Sequence, residues 1–146
     1  MKVTIVEDPH ISETEISIVC AGMTDELNEL VASLAAAELT FTGKKEKEFF
    51  FIPAKDIYSF ESVDGAVFMY TANDTYEGTM KLYQVEERLK HTRFSRISKT
   101  VIVNLDKMVS IKRAESARLV ATLVNKEKLV VSRQYVSKIK KTLGVS

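Results

Sequence analysis

The sequence has little of several residue types that define particular protein classes. Its 146 residues include one cysteine, two prolines, five glycines and no tryptophan. A single cysteine cannot form an internal disulfide, which excludes a disulfide-stapled scaffold and indicates a reducing compartment. No stretch approaches the roughly 18 consecutive apolar residues of a membrane-spanning helix, and residues 1–8 lack the apolar core of a signal peptide. We therefore predict a cytoplasmic protein.

Motifs for metal and nucleotide chemistry are missing as well. The two histidines, His10 and His91, have no second histidine or cysteine at a metal-binding spacing. The glycines stand singly, so the sequence contains no loop of the phosphate-cradling kind. No Gly-x-Ser-x-Gly turn is present that would expose a nucleophile. We expect neither an enzyme nor a bound metal or cofactor.

Charge is distributed very unevenly along the chain. Residues 1–87 contain 6 lysines and arginines against 17 acidic residues, whereas residues 88–146 contain 15 against 3. A basic segment of this strength is typical of a surface that meets nucleic acid or an anionic membrane. The alternative is that the two halves form salt bridges with each other inside one domain.

The first 38 residues predict two strands and a helix. Polar and apolar residues alternate at 2–6 and again at 15–20, on either side of an Asp-Pro break. The alternation places Cys20 on the apolar face of the second strand, where we expect a buried structural thiol. Thr24 can cap a helix that ends near Glu38. Its apolar residues fall at helical spacing: Leu27, Leu30, Val31 and Leu34.

From residue 39 onward the pattern is mainly one of short strands separated by turns such as Asp64-Gly65 and Asn73-Asp74. One helix is predicted at 81–90, and Ser132 can cap a final helix. The segments 94–97 and 100–103 fit either strands or loops. The clearer strands are 39–42, 48–52, 57–62, 66–71, 75–78, 108–113, 118–124 and 129–131.

These patterns predict a mainly β fold with a few helices. We expect antiparallel β-sheets and a C-terminal helix over residues 39–146. Residues 1–38 form an N-terminal strand-strand-helix extension, which we expect to serve as a dimerisation or regulatory element.

Three motifs in the second part of the chain occur together. The first is Ile57–Ser62 followed by Asp64-Gly65, the second runs from Phe94 to Leu105, and the third is Val130–Tyr135. In this order they resemble the signatures of the LytTR DNA-binding domain, over about residues 39–144. The resemblance implies a compact set of antiparallel β-sheets. Its loops, rather than a recognition helix, would enter successive grooves of duplex DNA at direct repeats in promoters.

The resemblance also implies which residues meet DNA. Lys99 takes the place of the variable basic or amide residue in the family's central loop, and Arg133 that of the arginine which opens the last helix. The first base-contacting loop corresponds to Val63–Val67. Two positions depart from the family pattern. Ser98 stands where the family usually has histidine, and Val67 offers no polar group where some members place a base-reading side chain.

The chemistry of these residues agrees with such a role. Arginine can present a bidentate fork to guanine in the major groove, and at the first turn of a helix it lies beside amides that favour phosphate. Lys99 lies between the hydroxyls of Ser98 and Thr100, a combination that suits phosphate contact. The alternatives are an ion pair between Arg133 and Glu127 and, for the loop, an ordinary solvated turn.

The final helix carries further polar candidates, of which the lysines lie away from its apolar stripe. They either contact phosphate or only solvate the helix. Arg96 is expected to be structural, and Val101 and Val103 to point into the core. The additional DNA-binding candidates are Gln134, Lys138, Lys140 and Lys141.

We therefore expect a short LytTR-type transcription regulator, without a receiver domain, that binds double-stranded promoter DNA. The alternative is a protein-interaction module whose N-terminal helix binds a partner and whose basic half meets an acidic protein. We also expect a homodimer. Short members of the family are often held in check by a membrane protein encoded beside them, so the resemblance implies such a regulatory partner.

Overall fold

The computed structural model describes residues 1–37 and 39–145, and over these residues it contains ten strands and three α-helices. The helices are α1 (Asp25–Ala36), α2 (Leu82–Arg88) and α3 (Arg133–Leu143). The strands are β1 (Thr40–Lys45), β2 (Glu48–Pro53), β3 (Ser59–Val63), β4 (Ala66–Tyr70), β5 (Thr75–Gly78), β6 (Phe94–Arg96), β7 (Val101–Asn104), β8 (Met108–Arg113), β9 (Leu119–Leu123) and β10 (Lys128–Val131).

The strands form two antiparallel sheets. Seven strands make the larger sheet in the order β2-β1-β5-β4-β3-β7-β6, and three make the smaller sheet in the order β10-β9-β8. Tight turns explain much of this order. In the turn between β3 and β4, Asp64 and Gly65 have φ values of 50° and 83°, which suit the right-handed twist of a hairpin. The predicted mainly antiparallel β fold is confirmed.

The larger sheet separates two hydrophobic cores, and β7 shows how. Ile102 points to one face, where it packs with Phe60 of β3 and with α2 residues such as Val85. Val101 and Val103 point to the other face, toward the smaller sheet and α3. Because successive side chains of a strand alternate between its faces, the apolar run Val101-Ile102-Val103 serves both cores. The prediction that Val101 and Val103 point into the core is confirmed.

Asn104 is the polar residue that ends β7, and it is only 3% exposed. Its side-chain amide donates to the carbonyl oxygen of Ile57 at 3.0 Å, and its side-chain oxygen accepts from the backbone N–H of Asp106 at 3.0 Å. The Ile57 carbonyl is a buried main-chain group, and leaving such a group without a partner costs about 1–3 kcal/mol; the bond to Asp106 lies nearer the surface. Asn104 therefore fixes the ends of β7 and of the segment before β3.

The two strands predicted at 2–6 and 15–20 are wrong. Among the residues that the structure describes, no strand precedes Thr40, and every residue from 1 to 26 is exposed. Cys20 is accordingly exposed rather than buried. Alternation alone does not make a strand, because the backbone must also find a neighbouring strand and the apolar face must find a cover. Neither is supplied to these segments within one chain.

Helix α1 begins as predicted, with Thr24 accepting a hydrogen bond from the backbone N–H of Leu27 at 3.2 Å. Its apolar stripe is only partly covered: Ala32 is buried, Leu27, Leu30 and Val31 are half-buried, and Leu34 is 39% exposed. The predicted end near Glu38 lies outside the described residues.

No helix of the described residues is both long and apolar enough to cross a bilayer.

Candidate nucleic-acid interface

Two backbone hydrogen bonds bring three segments of the chain together at one end of the larger sheet. The N–H of Ser62, next to the β3–β4 turn, donates to the carbonyl of Thr100 at 2.8 Å. The N–H of Ser132, just before α3, donates to the carbonyl of Ile97 at 2.8 Å. The first loop, the central loop at 97–100 and the start of α3 are therefore neighbours, although they lie far apart in sequence.

The central loop has an internal hydrogen-bonded structure that leaves its lysine exposed. The backbone N–H of Thr100 donates to Ser98 Oγ at 3.2 Å, and the two hydroxyl oxygens are 3.4 Å apart. Lys99 stands at the tip of the loop and is exposed. A short turn of this kind is ordinary for serine and threonine, but here it presents one cation between two hydroxyl groups at the molecular surface.

Arg96 holds the central loop from the side. Its guanidinium donates to the carbonyl oxygen of Lys99 at 2.7 Å and contacts both carboxylate oxygens of Glu86, at 3.2 and 3.3 Å. The Arg96 side chain is 15% exposed. The expectation that Arg96 is structural agrees with these contacts. Glu86 could not be identified from the sequence, because it belongs to α2 and reaches the loop only through the fold.

For the DNA-binding role that the family resemblance implies, replacing Arg96 with alanine should weaken binding to a duplex about tenfold while leaving the protein folded. The guanidinium is a charged donor, and hydrogen bonds to charged groups contribute about 1.5–3 kcal/mol; without it the loop loses the side-chain bond to the Lys99 carbonyl and keeps its backbone bonds to Ser62 and Ser132. Fluorescence anisotropy on a selected duplex measures the effect. Arg93→Ala is the matched control, because Arg93 pairs with Asp106 at 3.0 Å, whereas Arg96 bonds to the loop carbonyl of Lys99. Equal affinities of the two variants would contradict the assignment.

The start of α3 carries two exposed side chains, Arg133 and Gln134. Ser132 occupies the capping position, as predicted, but its side chain makes no capping hydrogen bond. Among the residues described, the ion pairs do not include Arg133, and its alternative assignment as a partner of Glu127 has no support in the structure. Arg133 therefore directly follows the residue that is bonded to the central loop, and its exposed guanidinium has no ion-pair partner among the described residues.

The three candidate lysines of α3 occupy different places. With 3.6 residues per turn, Lys140 shares a face with Arg133, whereas Lys138 and Lys141 share one with Gln134. Lys138 lines a cleft with Arg96 and α2. Lys141 lines another with the first half of α1. The structure thus groups Ser98, Lys99, Thr100, Arg133 and Gln134 at one end and spreads the lysines along the helix.

The first loop offers little for base reading at the predicted positions. Val67 is 3% exposed and packs in the core, whereas Val63, Asp64 and Gly65 are exposed. Lys81 lies beside this loop, with its Nζ atom 3.5 Å from the carbonyl oxygen of Gly65. Sequence reasoning missed Lys81, since sixteen residues separate it from the loop and no local pattern links them.

Two arginines at the end of the smaller sheet were also missed. Leu119 pairs with Val131 on one side and with Arg113 on the other. This register places Arg113 and Arg118 close to the start of α3, two residues beyond Val131. Sequence reasoning predicted the strands but not the register, and the register is what brings these exposed cations beside the candidate surface.

Acidic residues neutralise only part of the basic half. Of the four ion pairs among the described residues, two join the acidic and basic halves, Glu86 with Arg96 and Glu87 with Lys90. Both are local to α2 and its surroundings.

The described residues also contain no group of three or more histidine, cysteine, aspartate or glutamate side chains placed to hold a metal ion. The chemistry of this end is therefore that of exposed cations and hydroxyls.

Shifted pKa values belong to other parts of the larger sheet. Burial raises the pKa of Tyr70, and its hydrogen bond to Glu61 at 3.0 Å raises it further. The hydrogen bond from Lys45 to Asp74 raises the pKa of Lys45. Neither pair lies in the cluster around Lys99 and Arg133.

The cluster can be compared with known families. The family model of the LytTr DNA-binding domain matches residues 47–144, two thirds of the chain. The chain belongs to the LytTR family. The domain matched in this way includes the central loop, the start of α3 and all the strands from β2 onward.

Individual proteins are similar to this LytTR chain over its length. Uncharacterized HTH-type transcriptional regulators of Staphylococcus aureus, strains NCTC 8325 and COL, are 24% identical over 147 residues, covering 99% of this chain and 99% of theirs. Their alignments therefore extend into the part of the chain that precedes the matched domain. The solved LytTr DNA-binding domain of a methyl-accepting/DNA response regulator from Bacillus cereus matches with a TM-score of 0.68 and 23% identity. The match covers 72% of this chain and 96% of the Bacillus cereus chain, and it supports the fold.

Proposed function

We propose that this LytTR protein binds promoter DNA sequence-specifically as a transcription regulator, with its loops entering grooves of the duplex at direct repeats. The observation that supports this most directly is the pair of backbone bonds from Ser62 and Ser132 to the central loop. These bonds align the β3–β4 turn, the loop and the start of α3 on one surface. The proposed activity is binding rather than catalysis, in the cytoplasm.

Each polar group of the cluster has a separate proposed role. Arg133 reads a base edge, because its guanidinium can form the bidentate contact that arginine makes with guanine. Lys99, Ser98 and Thr100 contact phosphate or the groove beside it, and Gln134 supports Arg133. Lys138, Lys140 and Lys141 contribute charge along the backbone. The additional cations Lys81, Arg113 and Arg118 extend the same surface.

Selection from a random-sequence duplex library tests the proposal. The protein should enrich a defined motif, present twice in the same orientation when longer random regions are used. Binding should fall steeply as salt increases, because phosphate contacts release counterions. An interaction module for acidic proteins would instead bind random duplexes weakly and enrich no motif, which would favour the alternative function.

Replacing Lys140 with alanine is expected to weaken binding to selected and random duplexes equally. If Lys140 contacts one phosphate, the slope of log K against log salt falls by about 0.9, since one fewer counterion is released. The measurement is a salt titration on both duplexes. Lys55→Ala is the control: Lys55 is exposed just before β3, at the end of that strand away from the loops. An unchanged slope for Lys140→Ala would assign this lysine to solvent.

Two protein partners also belong to the proposal. We infer that residues 1–38 form a dimerisation or regulatory element, distinct from the DNA-binding body at 39–146. The family resemblance adds a regulatory membrane protein encoded beside the gene. A neighbouring gene for a membrane protein, followed by co-purification of the two products, would test that partner.

A further inference from the structure

Strand β2 is an unpaired edge of the larger sheet with exposed aromatic side chains. It is the first strand in the sheet order, and among the described residues it pairs with β1 alone. Phe49 is 60% exposed and Phe51 is 75% exposed. The two point to the same face, because alternate residues of a strand share a face. An exposed edge with large apolar side chains is a template for pairing with another strand, and proteins normally protect it.

Residues 15–20 are the complementary feature, a strand sequence without a sheet. Ile16, Ile18 and Cys20 would share one face of such a strand, and Glu15, Ser17 and the apolar Val19 the other. In the structure this segment forms no strand, and Ile16 and Ile18 are 63% and 41% exposed. Exposed apolar groups in a repeating pattern indicate a contact surface. Within one chain, then, the segment and the β2 edge both stay unpaired.

We propose that residues 15–20 of one copy add as an extra strand along β2 of a second copy. Backbone hydrogen bonds to the free edge would provide affinity, as in other cases of strand addition. Ile16 and Ile18 would then lie on the same face as Phe49 and Phe51, so each pair covers the other. This assignment deepens the proposed homodimer, since it names the two surfaces that meet. It does not depend on the DNA contacts.

Charge also favours this pairing. The end of β1 and the turn that follows it contain three lysines and one glutamate at 44–47, and Lys44 and Lys47 are exposed. Lys45 already pairs with Asp74. The region of the chain before and within the proposed strand is acidic, with Glu7, Asp8, Glu13 and Glu15. Lys44 and Lys47 are exposed cations that such carboxylates can meet, and the exposed Glu46 and Glu48 beside them make this a matter of local pairs rather than of net charge.

Reciprocal exchange follows from the presence of both surfaces in each copy. A closed pair in which each copy donates one strand and accepts one leaves neither surface exposed, whereas one-way addition would leave one of each free to recruit more copies. We therefore expect a dimer rather than a filament.

Sedimentation velocity of the full chain over a concentration series tests the proposal. The wild-type protein should be a dimer, and two double variants should raise the dimer dissociation constant at least tenfold: Ile16→Asp with Ile18→Asp, and Phe49→Asp with Phe51→Asp. Val3→Asp with Ile5→Asp is the matched control, because Val3 and Ile5 are 78% and 84% exposed in the same extension but outside the contact. A monomeric wild-type protein would overturn the proposal. So would a control that dissociates as much as the test variants.

Mixing the two test variants separates strand addition from other modes of dimerisation. One variant retains an intact edge and the other an intact strand, so a mixture should form a mixed dimer through a single contact although each variant alone is monomeric. Self-association of the extensions predicts instead that the Phe49→Asp, Phe51→Asp variant stays dimeric on its own, and that result, like a mixture that remains monomeric, would reject the proposal. Circular dichroism and binding to a random duplex verify that each variant is folded, which keeps this test separate from that of DNA recognition.

Cys20 supplies a second readout that needs no substitution. It lies on the Ile16–Ile18 face in the proposed strand, and it is the single cysteine of the chain. Its rate of reaction with a maleimide should fall as protein concentration rises through the dimerisation range. In the Phe49→Asp, Phe51→Asp variant the rate should stay high at every concentration. A wild-type rate that does not depend on concentration would count against burial of this strand.

Discussion

Replacing Phe60 with alanine is expected to lower the free energy of unfolding by about 3–5 kcal/mol, the usual cost of deleting a buried aromatic ring. Phe60 is 0% exposed at the centre of the larger sheet. Its ring lies 5.0 Å from that of Phe41, in an edge-to-face arrangement, and 5.8 Å from that of Phe94. The substitution would leave a cavity where β1, β3 and β6 meet, so the loss includes both apolar burial and packing.

Urea denaturation monitored by circular dichroism measures this effect. Tyr83→Ala is the control, since Tyr83 is also a large aromatic residue but is 67% exposed on α2; its replacement should change stability by less than about 0.5 kcal/mol. Phe60→Leu should lower the free energy of unfolding less than Phe60→Ala does, because leucine fills part of the cavity. If Phe60→Ala and Tyr83→Ala were equally stable, Phe60 would not be the centre of this core. Because domains are typically stable by only about 5–15 kcal/mol, Phe60→Ala also tests how marginal the fold is.

The strands after residue 39 could be predicted because each carries its own local evidence. In β4, for example, Val67 and Met69 face the first core while Phe68 lies on the other face, and the flanking turn contains Asp64-Gly65. Period-two patterning and turn chemistry act over a few residues and need no knowledge of the rest of the fold. The final helix was predictable for the same reason, since Ser132 precedes an apolar stripe ending at Leu143.

The prediction failed in the N-terminal extension, where local evidence is not sufficient. Residues 2–6 and 15–20 have strand patterns as clear as that of β4, but a strand is stable only when its backbone and its apolar face are both satisfied. The burial of Cys20 was inferred from the same pattern and was wrong for the same reason. Alternation therefore predicts which face of a strand is apolar, and it leaves open which chain covers that face.

The candidate site also contains residues that local motifs identify and residues that only the fold brings to it. Lys99 and Arg133 were found because each stands in a short motif, and the structure places their segments next to each other through the bond from Ser132 to Ile97. Glu86 and Arg118 lie outside any such motif. They approach the cluster through helix packing and strand register, which are properties of the folded chain. Short-range motifs thus identify the residues at the centre of a surface made of loops. They do not identify the residues that hold the loops, such as Glu86, or those at the edge of the surface, such as Arg118.

Replacing Arg133 with alanine is expected to cost about 1–3 kcal/mol of specific DNA binding, which is roughly a 5- to 150-fold loss of affinity. Arg133 is exposed, has no ion-pair partner among the described residues, and lies beside the central loop. A bidentate contact to one base loses both hydrogen bonds at once when the guanidinium is removed. The preference at that one base pair should therefore relax while the preferences at other positions remain.

Arg133→Lys separates base reading from charge. Lysine keeps the positive charge but lacks the planar fork that matches the guanine edge, so this variant should bind random duplexes as well as the wild type does and still lose discrimination at the same position. Repeating the library selection with both variants gives the comparison directly. If both enrich the wild-type motif unchanged, Arg133 contacts only phosphate or solvent, and sequence must be read from Lys99, Gln134 or the first loop. If random binding also falls for Arg133→Lys, the role of the side chain is positional, and the α3 start would be a support for the loop rather than a reader of bases.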